Sequence, residues 1–160
     1  MEINHFKKTD LEGSYIYFIF ARELLYIGQT QKIAFFRWVN HLYNNGSLTK
    51  KINQFGDPYI NYKINLNFIS IKCISIRSDF PEIRWKTITQ AVEHSVHSKL
   101  YSSQSSLIES YYNNYEPDVS EFKIISDTKS TAPSSIPVSE WNYANNYANE
   151  LLLKLYEYLS

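Results

Sequence analysis

The sequence predicts a small α+β domain, a three-stranded antiparallel sheet flanked by helices, followed by a C-terminal amphipathic helix. Three observations predict it. A β-branched and aromatic run, Ser14 to Phe20, is followed almost at once by a second, Leu24 to Ile27. Later segments repeat apolar residues at helical period. The composition supplies a core, since 44% of the 160 residues are hydrophobic and 20% charged, too few charges for a disordered polyelectrolyte.

In the first run Tyr15 and Tyr17 share one pleat face, with Ile16, Phe18 and Phe20 on the other. Ala21-Arg22-Glu23 is a short connection, so the two runs read as an antiparallel hairpin whose second strand ends at Gly28. From about Gln31 the period turns helical, with Ala34, Phe35, Trp38 and Leu42 on a buried stripe and Asn44-Asn45-Gly46 as the stop signal. Leu48 to Phe55 reads as a shorter helix closed by Gly56-Asp57-Pro58, and Asn67 to Ile76 as the third strand. After Asp79-Phe80-Pro81, Ile88, Val92, Val96 and Leu100 recur every fourth residue, the spacing of a long helix.

The Ser/Thr/Pro-rich stretch from Ser126 to Pro137 reads as a linker. The chain therefore divides into a domain over 1–125, a linker over 126–138 and a terminal helix over 139–160. In that helix Trp141, Ala144, Ala148, Leu152, Leu155 and Leu159 are three or four apart, an apolar stripe that docks on its own domain or joins a second copy as a homodimer.

The single Cys73 lies in an apolar run, which excludes a disulfide scaffold and fits a reducing compartment. No uncharged apolar stretch is long enough to span a membrane, and acids fall within the first twenty residues, so the expected location is the cytoplasm. The formal net charge is zero, yet between Lys32 and Lys99 ten basic residues face four acidic ones. A local basic region of this kind is suited to a polyanion.

The motif that carries chemistry begins with Gly13-Ser14-Tyr15 on the first strand and continues with Tyr26-Ile27-Gly28 on the second. Arg37-Trp38-Val39-Asn40-His41 follows, placing Arg37 and His41 on one helical face, and Glu93 lies in the middle of the long helix. Taken singly, each tyrosine reads as a packed strand residue, and Arg37, His41 and Glu93 as helix residues. As an ordered set they resemble the GIY-YIG nuclease family over roughly Gly13 to Leu100, with Ser14 replacing the usual aliphatic residue. The family also has an asparagine after its glutamate. Ser102 to Ser106 offers none, and Asn113 and Asn114 are the nearest.

The resemblance implies a Mg²⁺-dependent DNA endonuclease, with Mn²⁺ as a substitute for the metal. Its catalytic residues would be Tyr15, Tyr26, Arg37, His41 and Glu93, with Gly28 supporting. Tyr15 would take a proton from water, Tyr26 would orient water or phosphate, Arg37 would bind phosphate oxygens, and Glu93 would hold the metal. A phenol needs nearby cations or a relay partner to act as a base at neutral pH, which Arg37 and His41 supply. Lys32, Lys50, Lys51, Arg84 and Lys86 are candidate nucleic-acid contacts, duplex DNA being favoured over RNA. Domain size points to a compact, restriction-like enzyme. The alternatives are a non-cleaving binding module on the same fold, or a homing or repair-type subunit that takes its specificity from a partner.

Overall fold

Strand β1, Glu12–Ala21, and strand β2, Leu24–Lys32, form the hairpin, with Ala21 opposite Leu24 and Arg22 in the left-handed region at φ 50°. The computed structural model describes residues 11–42, 46–54, 66–102, 105–119 and 122–160. The expected signals at Asn44-Asn45 and Gly56-Asp57-Pro58 lie outside them. Helices α1, Ala34–Leu42, and α2, Ser47–Asn53, follow the hairpin. Strand β3, Leu66–Lys72, precedes a short helix α3, Ile74–Asp79, and the long helix α4, Glu82–Ser102. Helix α5, Ser105–Tyr115, strand β4, Lys123–Ile124, and helix α6, Val138–Leu159, complete the described elements.

The fold is α+β, but the sheet differs from expectation. β3 and β2 flank β1 in antiparallel pairing, and β4 adds a fourth strand parallel to β2, giving the order β3-β1-β2-β4. A two-residue strand has no alternation to read, so sequence pattern could not reveal β4. β2 also runs through Gly28 to Lys32 rather than ending there. The third strand stops at Lys72, where the Cys73 N–H donates to the Ser14 carbonyl, and Ile74 onward turns helical. Short apolar runs fit either period, which is why Asn67 to Ile76 read as one strand.

Alternation along β1 feeds two separate cores. On one face Ile16, Phe18 and Phe20, with Leu25 and Ile27 of β2, pack against Ile88, Val92 and Val96 of α4, Ile108 of α5 and Leu152 of α6. On the other, Tyr17, Ile19 and Ala21 pack against Ala34 of α1 and Leu48 and Ile52 of α2. Phe35, expected on the buried stripe of α1, points outward at 59% exposure, because Ala34, Trp38 and His41 form the inward face.

The apolar stripe of α6 is covered by the chain itself: Ala144, Ala148, Leu151, Leu152, Leu155 and Leu159 are buried in the first core. Each leucine buried in this way contributes roughly 2 kcal/mol of transfer free energy before entropy is charged. The Ser/Thr/Pro-rich segment ahead of it lies along the body. Ser126 and Thr128 are buried, Ser126 Oγ accepting from the Ile27 N–H at 2.9 Å and Thr128 Oγ1 lying 2.9 Å from His94 Nδ1.

Candidate functional site

The second face of the sheet gathers the chemistry-bearing side chains. Tyr17 sits opposite Gly28 across the hairpin, and Tyr26 lies one pleat further along on the same face. The two phenol rings stack with centroids 6.4 Å apart. From α1, His41 meets both rings, at 5.8 Å from Tyr17 and 4.9 Å from Tyr26. Its Nε2 lies 3.0 Å from Tyr17 Oη and its Nδ1 3.1 Å from Ser47 Oγ at the start of α2. One helical turn before His41, Arg37 is solvent-exposed and its guanidinium lies near enough to the Tyr17 hydroxyl to favour its ionised form.

Gly28 is the residue that makes this packing possible. A Cβ there would lie 2.3 Å from Tyr17 Cζ and Oη, so the ring occupies the space that a side chain would fill. Tyr17 is 1% exposed, leaving little room for it to retreat.

Glu93 approaches from α4, and a chain of polar contacts fixes that helix on the sheet. Ser14 Oγ donates to Gln31 Oε1 at 3.2 Å, Gln31 Nε2 donates to Thr89 Oγ1 at 3.0 Å, and Thr89 in turn donates to the Trp85 carbonyl at 2.6 Å. Thr89 lies one turn before Glu93. Ser14 thus ties β1 to the helix that carries Glu93.

Burial sets the electrostatics. Glu93 is pushed up to about 8 by desolvation, opposed by the Arg37 guanidinium. Burial, reinforced by Arg37, drives His41 down to about 4, so its imidazole is neutral at pH 7. Burial and the neighbouring Tyr26 raise Tyr17, which stays a protonated phenol. A neutral imidazole between two hydroxyls allows Tyr17 O–H to donate to Nε2 while Nδ1–H donates to Ser47 Oγ. The cluster therefore offers an exposed cation, a phenol in contact with a proton acceptor, and a buried carboxyl group that burial keeps mainly protonated at pH 7.

The other expected residues are distributed as follows. Tyr15 shares the face of Tyr17 two residues earlier, opposite Thr30, with the Lys72 ammonium 5.8 Å from its ring centroid. Lys51 lines a concavity with His97 and Lys129, while Lys32, Lys50 and Lys86 are exposed. Arg84 is engaged elsewhere: it pairs with Glu140 and fastens α4 to α6. Asn114 is engaged elsewhere as well: its Nδ2 donates to the Leu159 carbonyl at 2.7 Å and caps the end of α6.

Tyr17 and Ser47 are the members that sequence reasoning missed. A signal for Tyr17 existed. With a two-residue connection pairing Ala21 with Leu24, counting four residues back along each strand sets Tyr17 against Gly28. Ser47 carries no such signal, since its contact depends on how α2 folds back on α1.

Comparison of the chain with models of known families, with curated proteins and with solved structures gave no match. The fold and the cluster accordingly rest on geometry and residue chemistry.

Proposed function

We propose that the chain is a Mg²⁺-dependent endonuclease that hydrolyses phosphodiester bonds of duplex DNA, in the manner of a compact restriction-like enzyme. The observation that carries this reading is the convergence of Tyr17, Tyr26, Arg37, His41 and Glu93 from two strands and two helices. Arg37, open to solvent, binds the non-bridging oxygens of the scissile phosphate. Two phenols are available as proton acceptors for the attacking water. The resemblance points to Tyr15, whereas contact with His41 favours Tyr17.

As the water oxygen bonds to phosphorus and the P–O3′ bond breaks, the water proton passes to Tyr17 Oη and the Tyr17 proton to His41 Nε2. The departing 3′ oxygen is protonated from solvent. Burial is the main obstacle to a proton on His41 and the Arg37 charge the lesser one, which a phosphate seated at Arg37 offsets. Tyr26, stacked on Tyr17, keeps that phenol in place.

Among the described residues no three His, Cys, Asp or Glu side chains converge as a metal cage. A single buried carboxylate still suits Mg²⁺, which is commonly held by one or two carboxylates together with waters and substrate phosphates. Glu93 would hold the ion, which when bound supplies stabilisation of charge on the phosphate and on the leaving oxygen.

The test is cleavage of supercoiled plasmid and phage DNA with Mg²⁺ or EDTA. Discrete Mg²⁺-dependent fragments are expected, with Glu93→Ala slower by about a thousandfold. Tyr17→Phe is expected to lose about a hundredfold and Tyr15→Phe less. The reverse order returns the proton-accepting role to Tyr15. A Glu93→Ala protein that cuts at the full rate sinks the metal assignment. Because Asn114 is occupied as a cap, a binding module without cleavage is the second reading, identified by DNA retention in EDTA with no cutting in Mg²⁺.

A further inference from the structure

Beside the cluster lies a second concavity of about 680 Å³, within the size range of ligand pockets. Lys51 from α2, His97 and Tyr101 from α4, and Asp127 and Lys129 from the segment after β4 line it. It joins the cluster at two points. Glu93 precedes His97 by one turn of α4, and Ile27, between Tyr26 and Gly28, donates its N–H to Ser126 Oγ, which lies 3.3 Å from His97 Nε2.

Tyr101 is unusual among the aromatic residues of α4. Its ring is 63% exposed yet fixed on two sides, stacked on His97 at 6.2 Å and 25° while its hydroxyl donates to the Ile124 carbonyl at 3.3 Å. An exposed ring held in this way presents a preorganised π face. His97 below it is 3% exposed, and its Nδ1 has no hydrogen-bond partner among the described residues. Lys51 and Lys129 bring two positive charges to the rim. The single acid, Asp127, accepts the Lys129 N–H through Oδ1 at 2.8 Å, so the three charged side chains leave the rim net positive.

We propose that this pocket is a nucleotide subsite, in which an unpaired nucleotide of the substrate strand stacks its base on Tyr101 and sets its phosphates against Lys51 and Lys129. The inference rests on the nuclease reading and adds a strand-binding surface to it. An aromatic platform bordered by cations is the usual means of holding single-stranded nucleic acid, and it tolerates any base because every base has a π face. The subsite is joined to the cluster through α4 and through Ile27, which places it on the side of the site where a nucleotide unstacked near the scissile phosphate would be received.

The experiment is fluorescence anisotropy of the full chain, in EDTA, with a short labelled oligothymidylate over a range of salt, run beside plasmid cleavage in Mg²⁺. The parent protein binds the oligonucleotide. Tyr101→Ala weakens binding about tenfold, and Tyr101→Phe, which keeps the π face, restores it. The double variant Lys51→Gln/Lys129→Gln lowers the slope of log K against log salt by about 1.4, as loss of two single-strand phosphate contacts requires. All three positions lie at the surface or rim, and circular dichroism checks that each variant is folded. Unchanged affinity in Tyr101→Ala, or an unchanged slope in the lysine variant, overturns the subsite while plasmid cleavage leaves the nuclease reading standing. A parent protein that neither binds the oligonucleotide nor cuts plasmid overturns both.

Discussion

The two faces of β1 are built from alternate residues of one strand and are equally buried, yet they behave as different materials. Ile16, Phe18 and Phe20 enter an apolar core in which shape and volume alone matter. Tyr15, Tyr17 and, across the hairpin, Tyr26 and Gly28 form a face whose rings end in hydroxyls and meet His41 and Arg37. A period of two lets a single ten-residue strand be wholly apolar on one side and carry hydroxyl-bearing rings on the other, at adjacent positions.

The sharpest way to break the comparison is to cut the apolar face. Phe18→Ala is expected to lower unfolding free energy by about 4 kcal/mol in a denaturant titration, with the acid sensitivity described next left intact. Acid should strike two buried histidines, one on the polar face and one on α4. His41 and His97 are both held neutral, near 4 against an unfolded value of 6.5, through burial first, so the unfolded chain takes up protons before the folded one. Their contribution is complete above about pH 6.5 and is lost as pH falls toward 4, a decline of a few kcal/mol that His41→Gln should flatten.

Gly28→Ala probes the same face sterically. Its Cβ displaces the Tyr17 ring, with an expected loss of about 1 to 3 kcal/mol and a larger proportional fall in plasmid cleavage than Phe18→Ala causes in folded protein. The mildest change is Asn114→Ala, which removes the cap on α6 far from the cluster. A loss of about 1 kcal/mol in thermal unfolding with cleavage unchanged is expected, and a fall in cleavage would mean that α6 couples to the site.

Much of the candidate site was legible because its residues carry it in local order: the two tyrosine motifs, Arg37 with His41 at one helical turn, and, on the helix that packs against the other face, Glu93. What escaped depends on contacts between distant segments. Tyr17 reads as one more strand aromatic until the hairpin register sets it against Gly28. β4 is too short for any pattern, and Arg84 cannot be told from a phosphate contact until α6 brings Glu140 to it. The Ser/Thr/Pro composition of 126–137 reads as a linker, but composition is blind to two buried hydroxyls, Ser126 and Thr128, that bind the segment to the body.

The Ile27 N–H and its acceptor on Ser126 are separated by 99 residues. Beyond the two β4 pairings at Leu24 and Leu25, this contact shields the outer edge of β2 beside Tyr26 and Gly28. During synthesis the β1–β2 hairpin is complete well before Ser126 is made, so this stretch of strand edge stays open until the segment after β4 arrives. Closing this part of the β2 edge is therefore a long-range event in folding, and amide exchange at Ile27 offers a clock for it.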